Sequence, residues 1–124
     1  MKLPNGQWAI IDVRNKLIGY CLDKTHPVGK HKARRFESVL GITAENAQIL
    51  ADALRMAASE LDAKIKERSA DAVKYEIQLS VAGPRGTATV LSGWVIERGT
   101  DIPRLSTCYV AKRKSRGGSR GADV

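Results

Sequence analysis

The feature that most constrains the fold of this chain is a change in the spacing of its apolar residues. Residues 47–65 repeat apolar side chains at the spacing of an amphipathic helix, whereas residues 73–81 strictly alternate apolar and polar side chains. The first pattern predicts a long helix and the second a strand with one buried face. A helical first half followed by a sheet predicts an α+β domain.

Two further helices are predicted upstream of the long one. Residues 13–22 and residues 30–40 each carry an apolar stripe at helical spacing, and Gly41 follows the second. Residues 25–29 contain a proline and a glycine, which predict a loop between these helices. Thr43 is expected to cap the third helix. The N-terminal half should therefore contain about three helices.

Turn residues divide the rest of the chain into strands. Residues 83–86 and 98–101 are typical turns, and they separate β-rich stretches at 87–97 and 105–111. Strands joined by such short turns are antiparallel neighbours, so we expect a three-to-four-stranded meander, to which residues 8–13 could add an edge. The predicted α+β domain spans residues 1–111. Residues 112–124 are predicted to be a basic disordered tail.

The positive charge of the chain is high and clustered. The formal net charge is +8, with one cluster in residues 24–35 and another in the C-terminal tail. A clustered cationic surface attracts polyanions such as nucleic acid, and it could equally attract an acidic protein. Alternatively, the clustered charge only keeps the protein soluble and binds no partner.

Several classes of protein are disfavoured by composition. The sequence has no apolar run of the ~20 residues that a membrane helix needs, and no signal-peptide pattern. We therefore expect a cytoplasmic protein that does not bind membranes. Cys21 and Cys108 lack metal-ligand spacing and are expected to be reduced, half-buried residues. No metal and no cofactor are predicted.

One short segment concentrates the chemically useful side chains. His26, Lys30, His31, Lys32 and Arg34 lie at the predicted start of the second helix. Cations at this end oppose the helix dipole, so a sequence selected for stability alone would avoid them. An anion such as phosphate would compensate them. The segment therefore predicts a phosphate-binding site.

Histidine adds the possibility of RNA cleavage without a metal. That reaction needs a base, an acid and cations, and His31 could be the general acid or base beside Lys32. Thr107 and Tyr109, two residues apart on the last predicted strand, share a face, and Arg104 stands at the start of that strand. If the first helices pack near that end of the sheet, five side chains could line one cleft: His31, Lys32, Arg104, Thr107 and Tyr109.

Each candidate has a structural alternative. His31 could be a solvated helix-start residue, His26 a turn residue, Tyr109 a core aromatic and Thr107 an ordinary strand residue. The competing functions are a nucleic-acid-binding module without catalysis and an interaction protein that docks an acidic partner through its basic face. Nucleic-acid binding without turnover would distinguish the binding module from an enzyme.

Two motifs resemble an uncharacterised bacterial toxin-like domain family. They are Gly29-Lys-His-Lys-Ala-Arg-x-Phe36 and Arg104-Leu-x-Thr-x-Tyr109, and the resemblance covers about residues 1–111. It implies a domain of polymorphic toxins or toxin–antitoxin systems, similar in helix-then-sheet order to the barnase, EndoU and colicin-type ribonuclease superfold. The chain lacks an obvious catalytic glutamate of the barnase sort.

The resemblance also implies a function. It predicts a metal-independent endoribonuclease toxin that leaves 2′,3′-cyclic phosphate ends, with His31, Thr107 and Tyr109 as the catalytic residues. The implied partners are RNA and a small acidic antitoxin or immunity protein.

Overall fold

Residues 64–110 form an antiparallel sheet, as the alternating pattern and the turn residues predict. The structure is a computed structural model that describes residues 1–112. Its four strands lie side by side in chain order, so the predicted α+β fold with a C-terminal meander is confirmed. The strands are β1 (Lys64–Arg68), β2 (Ala72–Gly83), β3 (Gly86–Glu97) and β4 (Arg104–Val110). From residue 113 onward, the predicted basic tail lies outside the described residues.

The helical segments differ in the width of their turns. The first, π1 (Val13–Cys21), is π-helical, with wider turns than an α-helix. The second is α1 (Lys30–Arg35), which continues directly into π2 (Phe36–Leu40). The long third helix is α2 (Ala47–Glu60). No helix among these described residues is long and apolar enough to cross a membrane.

The turn residues act as the sequence predicts. Gly41 ends π2 with a φ of 72°, the left-handed conformation that glycine adopts most easily. Thr43 caps the short 3-10 turn Ala44–Asn46, which leads into α2. Its hydroxyl accepts a hydrogen bond from the Glu45 amide at 3.2 Å, and its amide donates to Asn46 Oδ1 at 2.7 Å. This reciprocal pair fixes the start of the third helix.

The predicted length of the third helix is wrong. Its apolar spacing continues to Ile65, but α2 ends at Glu60 and Leu61 is extended. Ile65 belongs to β1 and faces Tyr75 of β2. Backbone pairing with a neighbouring strand outweighs the local helical preference of residues 61–65, because it satisfies the hydrogen bonds along one edge of β2.

The helices pack on one face of the sheet. α2 lies against β2, whereas π1 and α1 both contact β4. Trp94 is fully buried in this core, and its indole Nε1 donates to Ser92 Oγ at 2.9 Å. Ser92 in turn donates to the Ile77 carbonyl at 2.9 Å, so the polar groups of Trp94 and Ser92 are paired inside the core.

The N-terminal segment pairs only briefly with the sheet. Of the predicted lead-in at residues 8–13, only Ile10 forms a bridge, parallel to Arg104. Trp8 lies in the 3-10 turn Gly6–Trp8 and remains 65% exposed. The short pairing covers the start of β4 and leaves the rest of that strand beside π1 and α1.

Candidate functional site

The seam between the helices and the last strand gathers the reactive side chains. We call it the edge seam, defined by Tyr20, Cys21, Lys32, Thr107 and Cys108, with Tyr109 at its exposed end. It exists because π1 and α1 contact β4, which is the edge strand of the sheet next to β3. The edge seam thus joins the predicted helix-start segment to the last strand, as the sequence analysis anticipates.

Lys32 supplies the positive charge of the edge seam. Its Nζ donates to the Tyr20 hydroxyl at 2.9 Å and lies 5.0 Å from the centre of the Tyr20 ring. This hydrogen bond raises the pKa of Lys32 above its usual value, with smaller contributions from Cys21 and Tyr109, while burial opposes them. Lys32 is therefore a fixed cation at neutral pH.

The two cysteines of the edge seam lie in the core. Cys21 and Cys108 are both fully buried, and neither forms a disulfide. A hydrogen bond from the Cys108 thiol lowers the pKa of the Cys21 thiol, helped by the Cys108 amide and the Lys32 charge and opposed by burial. The pKa of Cys108 is raised by Cys21 and by burial. Cys21 is accordingly the thiol that ionises more readily.

Thr107 and Tyr109 differ in exposure. They lie opposite Gly93 and Leu91 of β3. The Thr107 hydroxyl oxygen is buried and has no oxygen or nitrogen hydrogen-bond partner within residues 1–112. Tyr109 is 36% exposed. The Thr107 hydroxyl group is therefore enclosed, whereas the Tyr109 hydroxyl group can reach a bound molecule.

His26 has a structural task in the loop. Its Nδ1 accepts hydrogen bonds from the amides of Val28 and Gly29, both at 3.0 Å, so the neutral ring carries its proton on Nε2. The ring also packs edge-on against Tyr20, with 5.1 Å between centres. The two amides that immediately precede α1 are thus occupied by an imidazole.

The remaining predicted cations fall into two groups. Lys30, His31 and Arg34 lie on α1 without a side-chain hydrogen bond to any described residue, and His31 and Arg34 are exposed. Arg104 instead donates to Glu97 Oε1 through Nε and Nη2 at 3.1 and 3.0 Å. It precedes Tyr109 by about 16 Å of strand. The structure therefore does not bring Arg104 into the edge seam.

Sequence reasoning missed three members of the edge seam. Tyr20, Cys21 and Cys108 are not among the predicted site residues, although the first two precede His26 closely in the chain. Tyr20 contacts Lys32 across a loop, which no periodicity can reveal. Residues 1–112 contain no group of three or more side chains suited to hold a metal ion.

Comparison with known proteins places the chain in a family. A family model described as a domain of unknown function, DUF6883, matches residues 2–112. Because the match spans most of the sequence, the chain belongs to this family. No curated protein matches the chain.

Proposed function

We propose that this domain is a metal-independent endoribonuclease toxin that acts in the cytoplasm. The observation that carries the proposal is the fixed ammonium of Lys32, held by Tyr20 beside the hydroxyl-bearing end of β4. A positioned cation in a partly dry seam stabilises negative charge on phosphorus more strongly than the same cation in water.

The chemistry follows from the charge that cleavage creates. The 2′-oxygen of a ribose attacks the adjacent phosphorus, the bond to the 5′-oxygen breaks, and the products are a 2′,3′-cyclic phosphate and a 5′-hydroxyl. Lys32 would stabilise the phosphorane, and Arg34 and Lys30 would bind flanking phosphates. His31, exposed on the same helix, would exchange the proton as general acid or base. Tyr109 would orient the phosphate.

We also propose an acidic partner. The cations of α1 that have no partner among the described residues would be neutralised by a small acidic antitoxin or immunity protein. Such a partner would cover His31 and Arg34 and so block access of RNA to the edge seam.

An end-group assay tests the enzyme directly. Single-stranded RNA incubated with the full chain in EDTA should yield 2′,3′-cyclic phosphate ends. Products with 3′-hydroxyl ends, or a strict magnesium requirement, would exclude the proposed reaction.

A growth assay tests the role of His31. Induced wild-type protein should arrest growth, His31→Ala should not, and Arg55→Ala, an exposed substitution on α2, should behave as wild type. Equal growth of the wild-type and His31→Ala strains would contradict the toxin proposal.

A second function is favoured by one specific observation. Lys32 is held as a cation and the Nδ1 atom of His26 is used within the loop, so neither is a free proton acceptor. A nucleic-acid-binding module without turnover would need no such acceptor. It predicts salt-sensitive RNA binding without cleavage, and a flatter salt dependence when Lys32 and Arg34 are removed.

A further inference from the structure

The loop between π1 and α1 folds around the imidazole of His26. Its Nδ1 accepts hydrogen bonds from the amides of Val28 and Gly29, both at 3.0 Å. The main chain of His26 closes the loop on both sides, because its amide donates to the Asp23 carbonyl at 3.2 Å and its carbonyl accepts from the Lys30 amide at 3.1 Å. One residue thus sets the path of the backbone from the end of π1 to the start of α1.

The same loop lies tightly against Tyr20. The imidazole packs edge-on against the Tyr20 ring, with 5.1 Å between centres and 70° between planes. A Cβ atom on Gly29 would lie 2.2 Å from the Tyr20 carbonyl oxygen, so the backbone passes where no larger residue fits. Tyr20 is only half-buried, so these loop contacts restrict a ring that the core alone does not enclose.

Tyr20 in turn holds Lys32, the cation of the edge seam. Its hydroxyl accepts a hydrogen bond from Lys32 Nζ at 2.9 Å, and the Nζ atom lies 5.0 Å from the centre of the ring. A shift of the Tyr20 ring therefore displaces the partner of the Lys32 ammonium. Direct contacts run without a gap from the two loop amides through His26 and Tyr20 to Lys32.

We propose that His26 is a positioning residue for Lys32, on which it acts through Tyr20, and that it has this role only while Nδ1 is unprotonated. The proposal rests on the ribonuclease function proposed above, in which Lys32 stabilises the phosphorane. A second proton on the imidazole would occupy the Nδ1 lone pair and point an N–H group at two amide donors. The loop would then open, and the Tyr20 ring would lose its neighbour.

Both signs of charge surround the imidazole. The Asp23 carboxylate lies at the start of the same loop, close enough to His26 for their charges to interact. π1 contributes the phenol of Tyr20, and α1 contributes the ammonium groups of Lys30 and Lys32. A carboxylate favours a charged ring and ammonium groups oppose it. The protonation of His26 is therefore best followed at its own ring signals.

An NMR titration of the full chain tests the proposal without any RNA. The ring signals of His26 are distinguished from those of His31, the other histidine, with the variant His31→Ala. As His26 takes up its second proton, the amide signals of Val28 and Gly29 should move with the same midpoint, because their acceptor is lost. Amide signals that stay constant while the His26 ring titrates would overturn the proposal.

The same titration reports on Lys32. Its side-chain methylene groups next to Nζ lie by the Tyr20 ring and take a ring-current shift from it. This shift should shrink with the midpoint of the His26 ring signals, because the Tyr20 ring moves when the loop opens. Lys32 signals that do not follow His26 would disprove the positioning role, whether or not the protein cleaves RNA.

Two substitutions separate the acceptor from the ring. His26→Asn supplies an oxygen that can accept from the backbone amide two residues on and does not titrate near neutral pH. His26→Phe keeps an aromatic ring against Tyr20 and removes the acceptor. The Val28 and Gly29 amide signals should be independent of pH in His26→Asn and should exchange with solvent faster in His26→Phe. Unchanged exchange in His26→Phe would contradict the role of Nδ1.

Kinetics of RNA cleavage measure the consequence at Lys32. Both His26 variants should lower kcat by about 10-fold, less than the loss of Lys32 itself, because a displaced cation keeps part of its effect. KM should change by under about 2-fold, since the exposed cations of α1 remain. Val28→Ala, at a side chain that is 63% exposed, is the matched control and should keep the wild-type kcat.

The outcomes separate this proposal from the ribonuclease function. Wild-type protein that cleaves RNA beside two His26 variants with unchanged kcat would exclude the positioning role alone. Wild-type protein that cleaves no RNA would exclude the ribonuclease function, and the Lys32 signals would still decide whether His26 positions the ammonium.

Discussion

The β2–β3 hairpin and the edge seam are built in opposite ways. In the hairpin, every residue from Ala72 to Gly83 has a partner in unbroken register. At the edge seam, the β3–β4 register shifts between Gly93 and Trp94, and π1 has the wide turns of a π-helix. The hairpin pairs its buried polar groups, whereas the edge seam leaves the Thr107 hydroxyl oxygen without an oxygen or nitrogen partner within residues 1–112.

This contrast indicates a division of tasks. Regular pairing and apolar burial stabilise the hairpin together with α2, while the irregular edge seam holds a cation, two thiols and three hydroxyl groups. Departures from local regularity tend to accumulate where function requires them. We therefore expect substitutions in the hairpin to change folding and substitutions in the edge seam to change chemistry.

The largest effect should come from Trp94→Ala in the hairpin. Trp94 is fully buried, and removing its indole leaves a cavity and takes away the donor to Ser92. We expect the free energy of unfolding to fall by about 3–5 kcal/mol, measured by urea denaturation. Trp8→Ala, at a side chain that is 65% exposed, is the matched control and should cost under about 0.5 kcal/mol. Similar losses in the free energy of unfolding for Trp94→Ala and Trp8→Ala would contradict the stabilising role of the hairpin.

Lys32→Met should change activity strongly and stability little, the reverse of what we expect for Trp94→Ala. Losing the cation that we propose faces the scissile phosphate should lower the rate of RNA cleavage by about 10²-fold. The free energy of unfolding should change by under about 1 kcal/mol, because the side chain is partly solvated and the methylene stem is kept. Lys74→Met, on the exposed side of β2, should keep full activity. A variant that is active, or that loses activity only because it unfolds, would refute the role of Lys32.

The two regions also differ in how far the sequence predicts them. Strict alternation identifies β2 and its buried face, and Gly41 marks the end of a helix with the φ that such a position requires. β1 is missed because residues 61–65 continue a helical spacing, and only pairing with β2 makes them extended. Local patterns succeed where the structure is regular and fail where long-range pairing decides.

The edge seam is predictable only in part. Lys32, Thr107 and Tyr109 come from a helix start and a short strand, each recognisable in sequence, and the structure brings α1 and β4 into contact. Arg104 is expected beside them, yet it lies at the other end of β4 and binds Glu97. The burial of Cys21 depends on how π1 lies against β4, and no residue pattern encodes that placement.

Thr107→Val tests whether the enclosed hydroxyl group of the edge seam stabilises the fold. The substitution removes a buried hydroxyl that has no oxygen or nitrogen partner in the described part of the chain. We expect the free energy of unfolding to stay constant or to rise by up to about 1 kcal/mol. Thr89→Val, on the exposed side of β3, is the control. A loss of more than about 1 kcal/mol would show that the hydroxyl stabilises the fold and is not held for chemistry.

The smallest effect should appear at the start of π1, where Asp12 accepts hydrogen bonds from the amide of Asn15 at 3.0 Å and from its side chain at 2.9 Å. These bonds, with the amide first, lower the pKa of Asp12 below 3.8, and Lys16 contributes through its charge. Because the folded state favours the carboxylate, its stabilisation is complete above the unfolded pKa and is lost as the pH falls through the folded value. Asp12→Asn should therefore lower the Tm near neutral pH, and the gap to wild type should narrow as the pH falls below the unfolded-state pKa of the carboxyl group. A gap that is constant with pH would mean that the cap acts through the geometry of its hydrogen bonds alone.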